Sequence, residues 1–345
     1  MFYNTASNYV KTLILSITLK NFTEMSKFNR ISPDTIQRKL HSEDYSREEM
    51  LKISQWFFNK NSTLYLICDE TFSHHKYSKS MEGTDDHFDS KIYHEIRSHK
   101  ILTFGITDGK HILPLSSYFL FGKMLPGQQN PSRIEIIQNV VIQTKKDFPT
   151  QRIIFVADGA FGKIKMLKWC IKNKIDAEFR ITKSYKVTFK NKFEKIQDIK
   201  ALLPKGKQMS RTIKAMWHEM MLYVTAQKRI DKKNKETIVY QVSTYFSKSF
   251  QHVKNYKKRW TIEKMFRTTK QYLGLQECQS TKMQTQKNHI AAVFLAYSHV
   301  IVEQKRRGLK SAEEAIKALK LKNERILKND NRLKRSIRSN VSTCY

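Results

Sequence analysis

The sequence predicts an α/β protein: a mixed five-stranded sheet with helices on both faces, a β-rich insertion, and helical N- and C-terminal regions. Three observations carry that reading. Short apolar runs rich in β-branched and aromatic residues recur between Thr63 and Thr182, with helical segments between the later ones. Two of these runs end in aspartate, TLYLICD at Asp69 and RIIFVAD at Asp158. An alternating, aromatic-rich stretch then precedes a helical segment that carries Glu263.

Residues 1–60 read as helical. Ser32–Leu40 opens with Ser-Pro, a favourable helix start, and Ser46–Phe58 opens with a capping box from Ser46 to Glu49. Two such helices suit either docking on DNA as a helix-turn-helix or packing as a small bundle. Residues 61–182 form the first part of the main domain. Thr63–Cys68 is its first strand. Ile101–Thr107 and His111–Phe119 flank Asp108-Gly109-Lys110, a strong hairpin turn. Asn130-Pro131-Ser132 starts a helix whose apolar residues run from Ile134 to Ile142, ending near Lys146. Arg152–Ala157 is a strand, Gly162–Asn173 a helix and Ala177–Thr182 a strand. This order matches the ribonuclease-H-like fold. In that fold the first and fourth strands lie side by side, so Asp69 and Asp158 emerge at one edge.

Residues 183–249 read as the β-rich insertion. Met221–Ala226 and Thr237–Thr244 are strands, and Asp231–Lys235 is a polar hairpin tip. Residues 250–280 return to the main domain with the Glu263 helix. Residues 281–345 are helical and basic. Asn288–Glu303 is apolar enough for a core helix, and Ser311–Arg338 carries a stripe of Ala315, Leu319, Ile326 and Leu327.

Charge points to the partner. The chain of 345 residues holds 64 Lys+Arg against 31 Asp+Glu, a formal net charge of +33. Lysine-rich codon usage accounts for part of this, yet such a field attracts phosphate backbones. The four cysteines, Cys68, Cys170, Cys278 and Cys344, have no C-x-x-C spacing, so neither a zinc site nor a disulfide framework is expected. Val10–Leu19 is apolar but too short to span a bilayer and is interrupted by Lys11, so no membrane partner is expected.

Acids in so basic a chain need a purpose. Breaking a phosphodiester bond needs an activated oxygen nucleophile and a stabilised leaving oxygen. Two Mg²⁺ ions about 3.5–4 Å apart supply both, held by few carboxylates because waters and phosphate oxygens complete their shells. Asp69, Asp158 and Glu263 are the candidate ligands. On a single straight helix, Tyr256, Arg259, Glu263 and Lys270 share an arc of about 60° along roughly 21 Å. That face would present a carboxylate flanked by two cations and a phenol, all able to engage a phosphate. Taken alone, Arg259 and Glu263 are an ordinary i,i+4 pair, and either aspartate is an ordinary strand-end carboxylate. Glu70, next to Asp69, points to the opposite face if the strand continues. His74 and His75 read as a solvated pair in a polar loop. Asp158–Gly162 (DGAFG) lacks the Gly-Lys-Ser/Thr end of a Walker loop, and its glycines read as the turn from strand to helix. Lys183, Lys186, Lys190 and Lys192 suit backbone contact or plain solvation.

The spacing Tyr256-x2-Arg259-x3-Glu263-x6-Lys270 resembles the signature of the insertion-sequence transposases of family four, a group of DDE enzymes. ICDET at Asp69 and VADGAFGK at Asp158 resemble that family's two aspartate motifs, and the β-rich insertion resembles its arrangement. The resemblance covers about residues 60–280. It implies a cut-and-paste DNA transposase in which Asp69, Asp158 and Glu263 hold two Mg²⁺ (or Mn²⁺) ions. Tyr256, Arg259 and Lys270 would grip phosphates near the cut. Members often pass through a DNA hairpin with an aromatic residue of the insertion stacked on a flipped base. Trp217 is the Trp of the segment assigned here, and it reads as a core residue before it reads as that stacking residue. The implied partners are double-stranded DNA (terminal inverted repeats and target) and a second copy of the chain on DNA. The implied location is cytoplasmic, on a prokaryotic nucleoid. A stand-alone nuclease of the same fold, or a decayed DNA-binding transposase, are the alternatives.

Overall fold

The structure, a computed structural model, describes residues 7–16, 20–45, 47–78, 80–89, 93–121, 132–231 and 234–324. Ser46 of the expected capping box, Asn130 and Pro131 of the expected helix start, residues 232 and 233 of the hairpin tip, Ile326, Leu327 and Cys344 lie outside them.

Among the described residues, eleven strands form one continuous sheet. Its first part holds β1 (Thr63–His74), β2 (Asp85–Asp89), β3 (His94–Thr107), β4 (Ile112–Leu120), β5 (Arg152–Ala157) and β6 (Asp176–Ile181). Five of these follow the expected runs and lie in the order β4, β3, β1, β5, β6. β1 is antiparallel to β3 and parallel to β5, and β5 is parallel to β6. β1 pairs Ile67 with Val156, and continuing that register sets Asp69 level with Asp158. The hairpin between β3 and β4 turns where expected. Asp108 Oδ1 accepts the N–H groups of Lys110 and His111, both at 2.8 Å, and Gly109 supplies a positive φ of 98°.

Three features depart from the sequence reading. β1 does not stop at Cys68 but runs to His74, because β3 extends far enough to pair with it down to Ser98. The short polar strand β2, with little apolar signal, adds to β3. His75 is not solvated: it is buried, with Nε2 3.0 Å from Nδ1 of buried His99.

The insertion supplies the other five strands, β7 (Lys186–Phe189), β8 (Lys192–Lys195), β9 (Ser210–Trp217), β10 (Met220–Ile230) and β11 (Glu236–Ser243). It is not a separate sheet. β11 pairs antiparallel with β6 from Tyr240–Ile181 to Ser243–Glu178, so the main sheet continues into it. At the tip, Asp231 Oδ1 accepts the Lys235 N–H at 2.9 Å.

Helices cover this sheet. Among the described residues, four short ones come first: α1 (Asn8–Leu15), α2 (Phe22–Asn29), α3 (Pro33–Ser42) and α4 (Arg47–Phe57). Then follow α5 (Arg133–Asp147), α6 (Ile164–Lys172), α7 (Ser249–Lys257), α8 (Trp260–Tyr272) and α9 (Met283–Arg306), and residues 312–324 are also helical. Ser132 caps α5 with a full capping box to Glu135. α9 is buried along most of its 24 residues, as its apolar sequence requires. It packs on β4, α1, α3 and α4. Asn288 Nδ2 donates to the carbonyls of Leu40, His41 and Glu43, which ties the first helices to this core helix. Cys68, Cys170 and Cys278 are buried free thiols. Among the described residues, no helix is long and apolar enough to cross a membrane.

Candidate active site

Alternation along β1 turns Asp69 to the face that carries Tyr65 and Ile67. Glu70 points away, where it meets Lys100 Nζ and Arg133 Nη1, each at 2.8 Å. Asp69 Oδ1 accepts the Glu70 N–H at 2.9 Å. Asp69 Oδ2 accepts from Arg259 Nη1 at 2.9 Å, and Glu263 Oε1 accepts from Arg259 Nη2 at 2.6 Å. One guanidinium thus joins two carboxylates 194 positions apart in sequence. Its Nε is buried without a hydrogen-bond partner. Burial pushes the Asp69 carboxyl up to about 6; Arg259 opposes the rise, while Asp158 and Glu263 add to it.

Asp158 follows β5 directly. Its Oδ1 accepts the Ala160 N–H at 2.5 Å and its carbonyl accepts the Phe161 N–H at 3.1 Å, closing the turn into α6. The glycines of this turn serve close approach. A Cβ on Gly159 would stand 2.9 Å from the Arg180 carbonyl oxygen, and one on Gly162 2.7 Å from Phe179 Cβ. Among the described residues, no three His, Cys, Asp or Glu side chains stand close enough to hold one metal ion. The structure gathers Asp69 and Glu263 on Arg259 and leaves Asp158 engaged with its own turn.

The helix arithmetic needs correction. Tyr256 and Glu263 do not share one helix, because α7 ends at Lys257 and α8 begins at Trp260. Between them Lys258 N bonds Asn255 O at 3.0 Å, and Arg259 N bonds Tyr256 O at 3.1 Å. These i→i−3 bonds wind the chain at about three residues per turn, so the phase slips. Tyr256 consequently faces the interior and is only 3% exposed, with burial raising its phenol pKa. Its phenol lies next to Arg259 and within electrostatic reach of Asp158. Trp217 is likewise a core residue of the insertion, with its ring centroid 4.8 Å from that of Tyr185. That packing is the core placement expected first for this residue.

A cleft of about 780 Å³ opens beside the two acids. Asp69 and Glu263 line it together with Lys264, Arg267 and Lys270 of α8. Trp260, 52% exposed, and Phe88, 58% exposed, also line it. Neither aromatic was singled out from sequence. Trp260 had a signal, a large aromatic set between Arg259 and Glu263, whereas Phe88 lies on the unexpected β2.

Residues 111–298 match the sequence profile of a family described as the transposase DDE domain. The match runs from the start of β4 into α9 and includes Asp158, Arg259 and Glu263, while Asp69 lies before it. No curated protein matches the chain. The profile spans more than half of the 345 residues, and the chain belongs to the transposase DDE domain family.

Proposed function

We propose that the protein is a cut-and-paste DNA transposase of insertion-sequence family four, with a ribonuclease-H-like core formed by β4, β3, β1, β5 and β6. The observation that carries this reading is the Arg259 bridge: two remote carboxylates share one cation and line a cleft together with Lys264, Arg267 and Lys270. The donor set suits a hard divalent ion, since carboxylate oxygens are what Mg²⁺ prefers and crowding with Asp158 and Glu263 helps to raise Asp69. Asp69, Asp158 and Glu263 would hold two Mg²⁺ or Mn²⁺ ions, which supply Lewis acidity at the scissile phosphate when bound.

The chain's own groups do the rest. Lys264, Arg267 and Lys270 lay the phosphate backbone along α8. Arg259, once drawn from the acids, offers a planar fork for a phosphate. Trp260 offers an open aromatic face to an unpaired base. Water would attack the phosphate at the transposon end and expel the 3′-oxygen. The freed 3′-hydroxyl would attack a target phosphate, where it forms the new phosphodiester bond as the target strand's own 3′-oxygen leaves. Transposition joins two ends, so the working form is a dimer assembled on DNA, at the nucleoid.

The test uses purified full-length protein, Mg²⁺ or Mn²⁺, and DNA bearing the terminal inverted repeats that flank the coding region. End-specific cutting followed by joining supports the proposal. Cutting without end preference makes the protein a nuclease, and binding alone makes it a decayed transposase. Asp158→Ala and Glu263→Ala should each abolish cutting and keep DNA affinity; cutting at the wild-type rate would remove that residue from the site.

A further inference from the structure

Beneath the turn that presents Arg259 lies a buried polar cluster with no role in the chemistry above. Its centre is Glu178 on β6, 1% exposed. Glu178 Oε1 accepts from the Tyr245 hydroxyl, lies 2.8 Å from His252 Nδ1, and accepts from Asn255 Nδ2 at 3.3 Å. Glu178 Oε2 is buried without a hydrogen-bond partner. Asn255 Oδ1 in turn accepts from the Tyr65 hydroxyl at 2.8 Å and from Gln251 Nε2 at 2.7 Å. His252, Asn255 and Tyr65 are all buried.

Such a cluster is a poor way to gain stability. A buried ionic or polar group is often replaced by apolar residues of similar volume without loss, and here one carboxylate oxygen stays unmatched. What the cluster does supply is a fixed relation among the acid-bearing elements. Tyr65 lies on β1, on the same face as Asp69 and four residues before it. Glu178 pairs with Val156 of β5, two residues before Asp158. Asn255 stands on α7, four residues before Arg259. Tyr65 grips this segment twice, since its hydroxyl holds Asn255 while Lys258 Nζ sits 3.5 Å over its ring.

We propose that Tyr65, Glu178, His252 and Asn255 are positioning residues, which lock α7 to β1 and β6 and thereby set Arg259 and Glu263 against Asp69. The inference rests on the cleavage reaction proposed above. None of the four touches the reacting atoms, so their loss changes the rate of the cut and not the grip on DNA.

Tyr65→Phe removes a single hydroxyl and keeps the ring under Lys258. Glu178→Gln keeps the shape and removes the charge. In the full-length protein, both should bind end DNA within about twofold of wild type while single-turnover cleavage at saturating DNA falls roughly tenfold or more. Hydrogen exchange reads the same link without catalysis. Tyr65→Phe should speed exchange over residues 255–265 several-fold and leave β10 and β11 unchanged. If Glu178→Gln fails to fold, Tyr65→Phe still decides. Wild-type cleavage together with wild-type exchange in Tyr65→Phe overturns the inference, as does a loss of rate that only tracks a lower folded fraction. A wild-type protein that never cuts, but whose exchange responds to Tyr65→Phe, defeats the proposed reaction and leaves the lock standing.

Discussion

Arg259 is the residue on which the site turns. With its side chain 13% exposed, it bonds Asp69 and Glu263 at once and offsets one of their two negative charges, while Asp158 adds to the repulsion on Asp69. Arg259→Ala should therefore destabilise the metal-free protein by about 2 kcal/mol, less than the ~3–5 kcal/mol of a fully buried pair because both acids are partly exposed. The same variant should gain more in melting temperature from Mg²⁺ than wild type does, since a bound cation then relieves an uncompensated charge. Equal Mg²⁺ shifts in the two proteins would show that Arg259 does not share its place with the metal. Sequence spacing alone paired Arg259 with Glu263, because i,i+4 proximity is a local rule. It could not pair Arg259 with Asp69, because that contact depends on how α8 lies against β1.

Whole strands and helices were legible where local signals were strong. The runs at Thr63, Ile101, His111, Arg152 and Ala177 each became a strand, and β5 begins and ends as expected. Boundaries failed where tertiary pairing took over. β1 outran its apolar run, and the break between α7 and α8 lies at Lys258-Arg259, two residues that local propensity would leave in a helix. The β9–β10 turn escaped notice for another reason. His218 and Glu219 hold φ of 44° and 65°, a conformation that hairpins normally give to Asn-Gly, so the chain there carries no turn signature. Replacing His218-Glu219 with Asn-Gly should raise stability by about 1–2 kcal/mol. A urea titration reads this as a higher midpoint at unchanged slope, and an unmoved midpoint would mean that the two side chains offset their backbone cost.

Across the whole molecule, buried imidazoles set the acid limit. Burial lowers the pKa of His75 to about 3 and that of His289 to about 4, and His99 is lowered for the same reason. The folded protein keeps these rings neutral while the unfolded chain takes up protons from about pH 6.5 downward, so stability is lost as pH falls from there towards about 4. Melting temperature should thus drop steeply between pH 6.5 and 4.5, and His75→Asn should flatten the profile; a profile that His75→Asn leaves unaltered would acquit that histidine. The joined sheet has its own consequence at this scale. β11 satisfies the outer backbone of β6, so the insertion behaves as a rim grown onto the core, not as a graft. Losing β11 would bare an adhesive edge one strand from the Asp158 turn. The shortest viable version of this architecture is therefore set by hydrogen bonding, at the strand before α7 and α8.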